Sequence, residues 1–160
     1  MNYNDYYYPL SHSGDIIFCN FPNRNDLDTE YHGTPYIDPP HYCLVLASDE
    51  DSDSILVMYG TSKVEKYRSE KGLLLSEHLL SGTGLNRDTK FIFDQESIAL
   101  IPFSKQYINK KNGNIKVGVL PTSKYNELKK LLSNEGFHLY KEKLAENCDI
   151  MISKKTKKYF

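Results

Sequence analysis

The sequence predicts a mainly β domain, a small barrel-like sheet followed by one helix near the C-terminal end. Three observations lead there. Short apolar, β-branched and aromatic runs of about five residues recur along the chain and are separated by Gly, Pro, Asn and Asp. None reaches the roughly 20 residues that a membrane helix needs. Only one stretch, 121–132, places its apolar residues at helical spacing before a Gly-containing stop.

The elements follow in chain order. In GDIIFCNF, 14–21, Gly14-Asp15 interrupts what precedes and Ile16, Ile17, Phe18 and Phe21 form the first strand. PNRNDLDTEYHGTPYIDPP, 22–40, has no sustained period and reads as a long loop, of a length that is often functional. Tyr42–Ala47 is the second strand, closed by the acidic turn SDEDSDS, 48–54. That turn lacks the Gly and terminal Glu of a calcium loop. ILVMYGTSK, 55–63, is a third strand stopping at Gly60. KGLLLSEHLLSGTGL, 71–85, is apolar with a Gly-rich close, and TKFIFDQESIALIPF, 89–103, reads as two short strands or one bent strand. INKKNGN, 108–114, carries Asn-Gly and predicts a hairpin turn leading into the strand IKVGVL, 115–120. Pro121-Thr122-Ser123 starts the helix, Glu127 with Ser123 or Lys124 suggests a capping pattern, and Tyr125, Leu128, Leu131 and Leu132 share its apolar face. Residues 137–153 fit either a strand or a helix.

With 160 residues, 39% hydrophobic and 26% charged, the chain suits one folded domain. MNYNDYYYPL has neither a basic nor an apolar signal region, so the expectation is a cytoplasmic protein. Three scattered cysteines and five scattered histidines predict neither a disulfide framework nor a metal site. Charge is divided: residues 1–60 hold ten acidic side chains and one basic one, Arg24, and residues 61–160 hold nineteen basic and eleven acidic ones. A basic second half suits an anionic partner, RNA or an acidic peptide.

Five segments in order resemble the MazF/PemK toxins of bacterial toxin–antitoxin systems: GDIIFCNFP (14–22), HYCLVLAS (41–48), VMYGTSK (57–63), GTGLNRDTKFIFDQESIALIP (82–102) and NIKVGVLPTSKYNELKKLL (114–132). The resemblance spans residues 14–134. A Tyr-rich leader, 1–13, and a C-terminal extension with a basic tail, 135–160, lie outside it. It implies an SH3-like β-barrel with a C-terminal helix, a homodimer, and cleavage of single-stranded RNA with no metal or other cofactor. It also implies an antitoxin with an acidic, disordered tail as partner. In this chemistry the ribose 2′-OH attacks the adjacent phosphate, so a base, an acid and donors to the phosphoryl oxygens are needed. The resemblance assigns catalysis to His41 and Thr61. His41 stands where the family has Arg, and a histidine moves protons but lacks the guanidinium fork. Ser62 and Arg24 are the expected substrate-binding residues. Two other readings share this fold: a non-catalytic binding module, and a CcdB-like toxin that acts on gyrase.

Overall fold

The structure is a computed structural model that describes residues 14–21, 40–49, 54–94, 97–102 and 107–131. The leader, Arg24 and most of the long loop, the centre of the acidic turn and residues 132–160, including Leu132, lie outside the described residues.

Among the described residues there are eight strands: β1 Asp15–Cys19, β2 His41–Asp49, β3 Ser54–Thr61, β4 Gly72–Leu75, β5 Thr89–Ile92, β6 Ile98–Pro102, β7 Ile108–Asn109 and β8 Lys116–Val119. One α-helix, α1, follows at Thr122–Leu131, and a short 3-10 helix covers Glu77–Leu80. All pairings are antiparallel, with the path β4-β5-β3-β2-β1-β7. β6 adds to β3 and β8 adds to β1. The domain is therefore mainly β with one C-terminal helix, its sheet curled into a half-barrel compatible with a small barrel.

Two pairs of strands each share one edge of a neighbour. β5 and β6 both lie along the outer edge of β3, Phe91 opposite Gly60 and Ile98 opposite Met58. They are two short strands, the first of the two forms expected for 89–103. β7 and β8 likewise share one edge of β1, Asn109 opposite Phe18 and Lys116 opposite Ile17. This corrects the expected hairpin. The Asn-Gly turn forms, with Lys111 and Asn114 exchanging backbone hydrogen bonds of 2.7 and 3.0 Å. Asn112 and Gly113 have φ of 53° and 81°, the left-handed pair such a tight turn requires. However, the strands on either side pair with β1 and not with each other, so 110–115 is a short excursion from a single edge. Ile108 and Ile115 are fully buried and anchor its two ends.

β2 and β3 are apolar at nearly every position because both faces of the sheet are covered. On one face Leu44, Leu46, Leu56 and Met58 pack with Phe91, Leu73, Leu75 and Leu128. On the other, Cys43, Val45, Ile55 and Val57 pack with Ile17, Phe21, Ile101 and Ile108. Register shifts between Val45 and Ala47 in β2, and between Ile16 and Ile17 in β1, add the local bend of a bulge. α1 lies on the first face through Leu128, with Tyr125 and Leu131 half-buried beside it. Its first turn starts from the Pro121 carbonyl, which accepts from Lys124 and Tyr125. Of the two residues expected near Glu127, Ser123 and Lys124, it is Lys124 that pairs with it, at 3.2 Å.

Lys90 is an unusual interior residue. It is 8% exposed, and its ammonium donates to the carbonyls of Tyr67 (2.9 Å), Arg68 (3.1 Å) and Glu70. All three of its protons are thereby satisfied, and the loop 63–70 is tied to β5. Lys90→Met leaves three carbonyls short of a donor. The expected cost is about 2–3 kcal/mol, a fall in melting temperature of roughly 5–10 °C by calorimetry.

Candidate nucleotide pocket

A pocket of about 300 Å³ opens at the end of the sheet where β1, β2 and β3 meet the Gly-rich loop and the 110–115 excursion. Its aromatic wall is Phe18 of β1 and Tyr42 of β2. These residues face each other in the β1–β2 register, and their ring centroids lie 5.0 Å apart at 52°. Both belong to the face that carries Leu44, since side chains alternate along each strand. Gly60 of β3, next in register to Tyr42, gives the wall its depth.

Two cations come from opposite sides. Lys111 sits on the Asn-Gly turn, its ammonium 4.7 Å from the Phe18 ring centroid and 4.9 Å from that of Tyr42. Arg87 is exposed and follows the Gly82-Thr83-Gly84 segment. That segment is held by its own bonds. The Thr83 hydroxyl donates to the Leu80 carbonyl and accepts from the Leu85 N–H at 3.1 Å. The Gly82 carbonyl accepts from Val119 N–H at 3.1 Å. Thr89 is buried and donates to the Arg87 carbonyl at 3.0 Å, which sets the end of the loop. Asn86 and Ser62, both exposed, add an amide and a hydroxyl to the rim. Among the described residues no carboxylate lines the pocket, and its lysine and arginine, Lys111 and Arg87, are both cations.

The residues expected from the sequence divide. His41 and Ser62 line the pocket; Thr61 does not. The His41 ring lies 4.8 Å from that of Tyr59, on the Cys43 side of β2, and Tyr42 points to the opposite side. His41 thus meets the pocket at its edge. Thr61 is 5% exposed, and its hydroxyl accepts the Lys63 N–H at 3.1 Å, a local turn bond. Arg24 lies outside the described residues. Sequence reasoning did not single out Phe18, Tyr42, Asn86, Arg87 or Lys111. The Asn-Gly turn and the Gly-rich close were visible, but not that they bring two cations to one aromatic pair.

Behind His41, Cys19 and Cys43 are both buried free thiols on one sheet face. The Cys43 thiol donates to the His41 carbonyl at 3.7 Å. Hydrogen bonding with Cys43, then burial, pushes the Cys19 thiol well above its ordinary value. The neutral thiol is the form the fold favours. Its contribution to stability is complete below the unfolded thiol value of about 8.5 and declines as pH rises above it. Neither thiol should react with a disulfide reagent at pH 8 until the chain unfolds, as checked by absorbance before and after denaturant.

Among the described residues no group of three or more His, Cys, Asp or Glu is placed to hold a metal, and no helix is long and apolar enough to cross a membrane. Compared with protein-family models, with curated proteins and with solved structures, the chain matches none.

Proposed function

We propose that this chain is a toxin-like, metal-independent endoribonuclease of the MazF/PemK kind, acting in the cytoplasm as a homodimer on single-stranded RNA. One observation carries the reading: an aromatic pair, Phe18 and Tyr42, flanked by Arg87 and Lys111 in a pocket with no described carboxylate. A stacked base beside a cation-lined backbone track is how single strands are held.

In this reading a base stacks on the aromatic wall while Arg87 and Lys111 face the phosphate. The 2′-oxygen bonds to phosphorus as its proton passes to a base, and the P–O5′ bond breaks as the 5′-oxygen is protonated. A cyclic phosphate remains. The guanidinium of Arg87 supplies the fork that the residue at position 41 lacks. His41, at the pocket edge, is the proton carrier, since an imidazole changes charge near neutral pH. Ser62 presents an exposed hydroxyl to a phosphoryl oxygen, and the buried Thr61 supports the turn that carries it.

The test is cleavage of a mixed-sequence single-stranded RNA in excess chelator, with product ends analysed by mass spectrometry. The expected result is a ladder ending in cyclic phosphate, with His41→Ala reducing the rate by about 10²-fold or more. A second reading, a non-catalytic RNA-binding module on the same fold, is favoured by the orientation of the His41 ring towards Tyr59 and by the engagement of the Thr61 hydroxyl. Binding without cleavage across many sequences and pH values would select it.

A further inference from the structure

The ammonium of Lys111 already occupies the aromatic pair. It lies 4.7 and 4.9 Å from the two ring centroids, within the range at which a cation is held by a ring face. A base stacking on the ring faces that this ammonium covers must take its place. We propose that Lys111 is a built-in occupant of the Phe18–Tyr42 pair and acts as a charge gate, so that the pocket admits a planar ring only when the ring brings an anion with it. This deepens the reading above and rests on it for the identity of the ligand as a nucleotide.

Binding at the pair depends on compensation for the displaced ammonium. Displacing the ammonium forfeits its attraction to two rings. An uncharged planar ligand restores stacking but leaves the ammonium with no new partner. A ligand with a phosphate a few ångströms from its ring offers the displaced ammonium a charge-assisted hydrogen bond, stronger than the contact it left. The backbone does not need to move. Lys111 is pinned to Asn114 by two hydrogen bonds across the Asn112-Gly113 turn, and the flanking Ile108 and Ile115 are fully buried. The flexible stem lets the charge swing while its root stays in place. Arg87, on the opposite side of the pocket, is not over either ring and adds to anion attraction without gating.

The experiment is an NMR titration of the full chain with the four nucleosides and, separately, their 3′-monophosphates, for the wild type and for Lys111→Ala. These ligands have no internucleotide bond, so the result does not depend on whether RNA is cleaved, and a failure to cleave RNA leaves it standing. In the wild type the monophosphate should bind about tenfold more tightly than its nucleoside. In Lys111→Ala the nucleoside should bind about threefold more tightly than to the wild type, and the monophosphate about twofold more weakly, the small remaining preference for the monophosphate coming from Arg87. Lys111→Gln, which keeps most of the stem without the charge, should show the same crossing. The ε-methylene protons of Lys111 should be shifted upfield by the rings in the free protein and lose that shift when the monophosphate is added. Equal weakening of both ligands in the variants would overturn the gate and leave Lys111 a shaping residue. So would ε-methylene signals that stay put on saturation, or a wild type that binds neither ligand.

Discussion

Replacing Arg87 and Lys111 together by alanine is expected to reduce affinity for single-stranded RNA by about 10²-fold at low salt. Each cation neutralises one phosphate in the proposed complex, and a charge-assisted contact to phosphate contributes about 1.5–3 kcal/mol, roughly tenfold or more apiece. Losing two phosphate contacts should also flatten the dependence of log affinity on log salt by about 1.4. The two effects have the same cause and must appear together. Fluorescence anisotropy of a labelled oligonucleotide at several salt concentrations measures both. A change in affinity at constant salt slope would mean that the two residues shape the pocket without contacting phosphate. Folding should be unaffected, because Arg87 is exposed and Lys111 half-buried on a surface turn, and neither belongs to the two core clusters. Phe18→Ala tests the other half of the pocket. It should cost about 1–3 kcal/mol of binding through lost stacking while leaving the salt slope unchanged.

The largest expected loss of stability is at Gly118. A Cβ there would lie 2.1 Å from the carbonyl carbon of Thr83 and 2.2 Å from its oxygen, so alanine would meet backbone and not a side chain that can turn away. The contact is reciprocal: a Cβ on Gly84 would lie 2.3 Å from the Val117 carbonyl oxygen, and Gly84 has a φ of +80° besides. β8 and the 82–84 segment touch backbone to backbone, and the two glycines make that approach feasible. Gly118→Ala should cost on the order of 3–4 kcal/mol, read as a drop of roughly 10 °C or more in melting temperature. Gly113→Ala is the control. Its Cβ would meet nothing within 4 Å, so only the left-handed conformation is penalised, at about 1 kcal/mol. Because the 82–84 segment leads directly to Asn86 and Arg87, Gly118→Ala should also weaken RNA binding in the fraction that folds. If the two substitutions cost the same, the close approach between β8 and the loop is not what holds this corner.

The core strands and the helix were legible because their signals are local. β-branched and aromatic runs bounded by Gly, Asp and Pro mark β1, β2 and β3, and Leu128 and Leu131 at helical spacing mark α1. The division of 89–103 into two short strands was legible too, since the polar Asp94-Gln95-Glu96 separates two apolar runs. The Asn-Gly turn was legible as a turn but not as an excursion. Its local chemistry is that of a hairpin, and only pairing with β1, about ninety residues earlier, shows that β7 and β8 share one edge.

The candidate site was legible in part, for a related reason. HYCLVLA is apolar on both faces, so no alternation tells which side of β2 carries His41 and which carries Tyr42. The histidine drew attention as the chemically distinctive residue at the strand mouth. The pairing of β1 with β2 and β3 instead sets Tyr42 beside Phe18 and the His41 ring beside Tyr59. By itself, then, the sequence determined a mainly β domain, most of its strands, its helix and a basic second half, because these depend on local pattern and composition. The tertiary structure alone decided that Arg87, Lys111, Phe18 and Tyr42 form one pocket, because segments distant in the chain become neighbours only through strand register and the close backbone approach of β8 to the 82–84 segment.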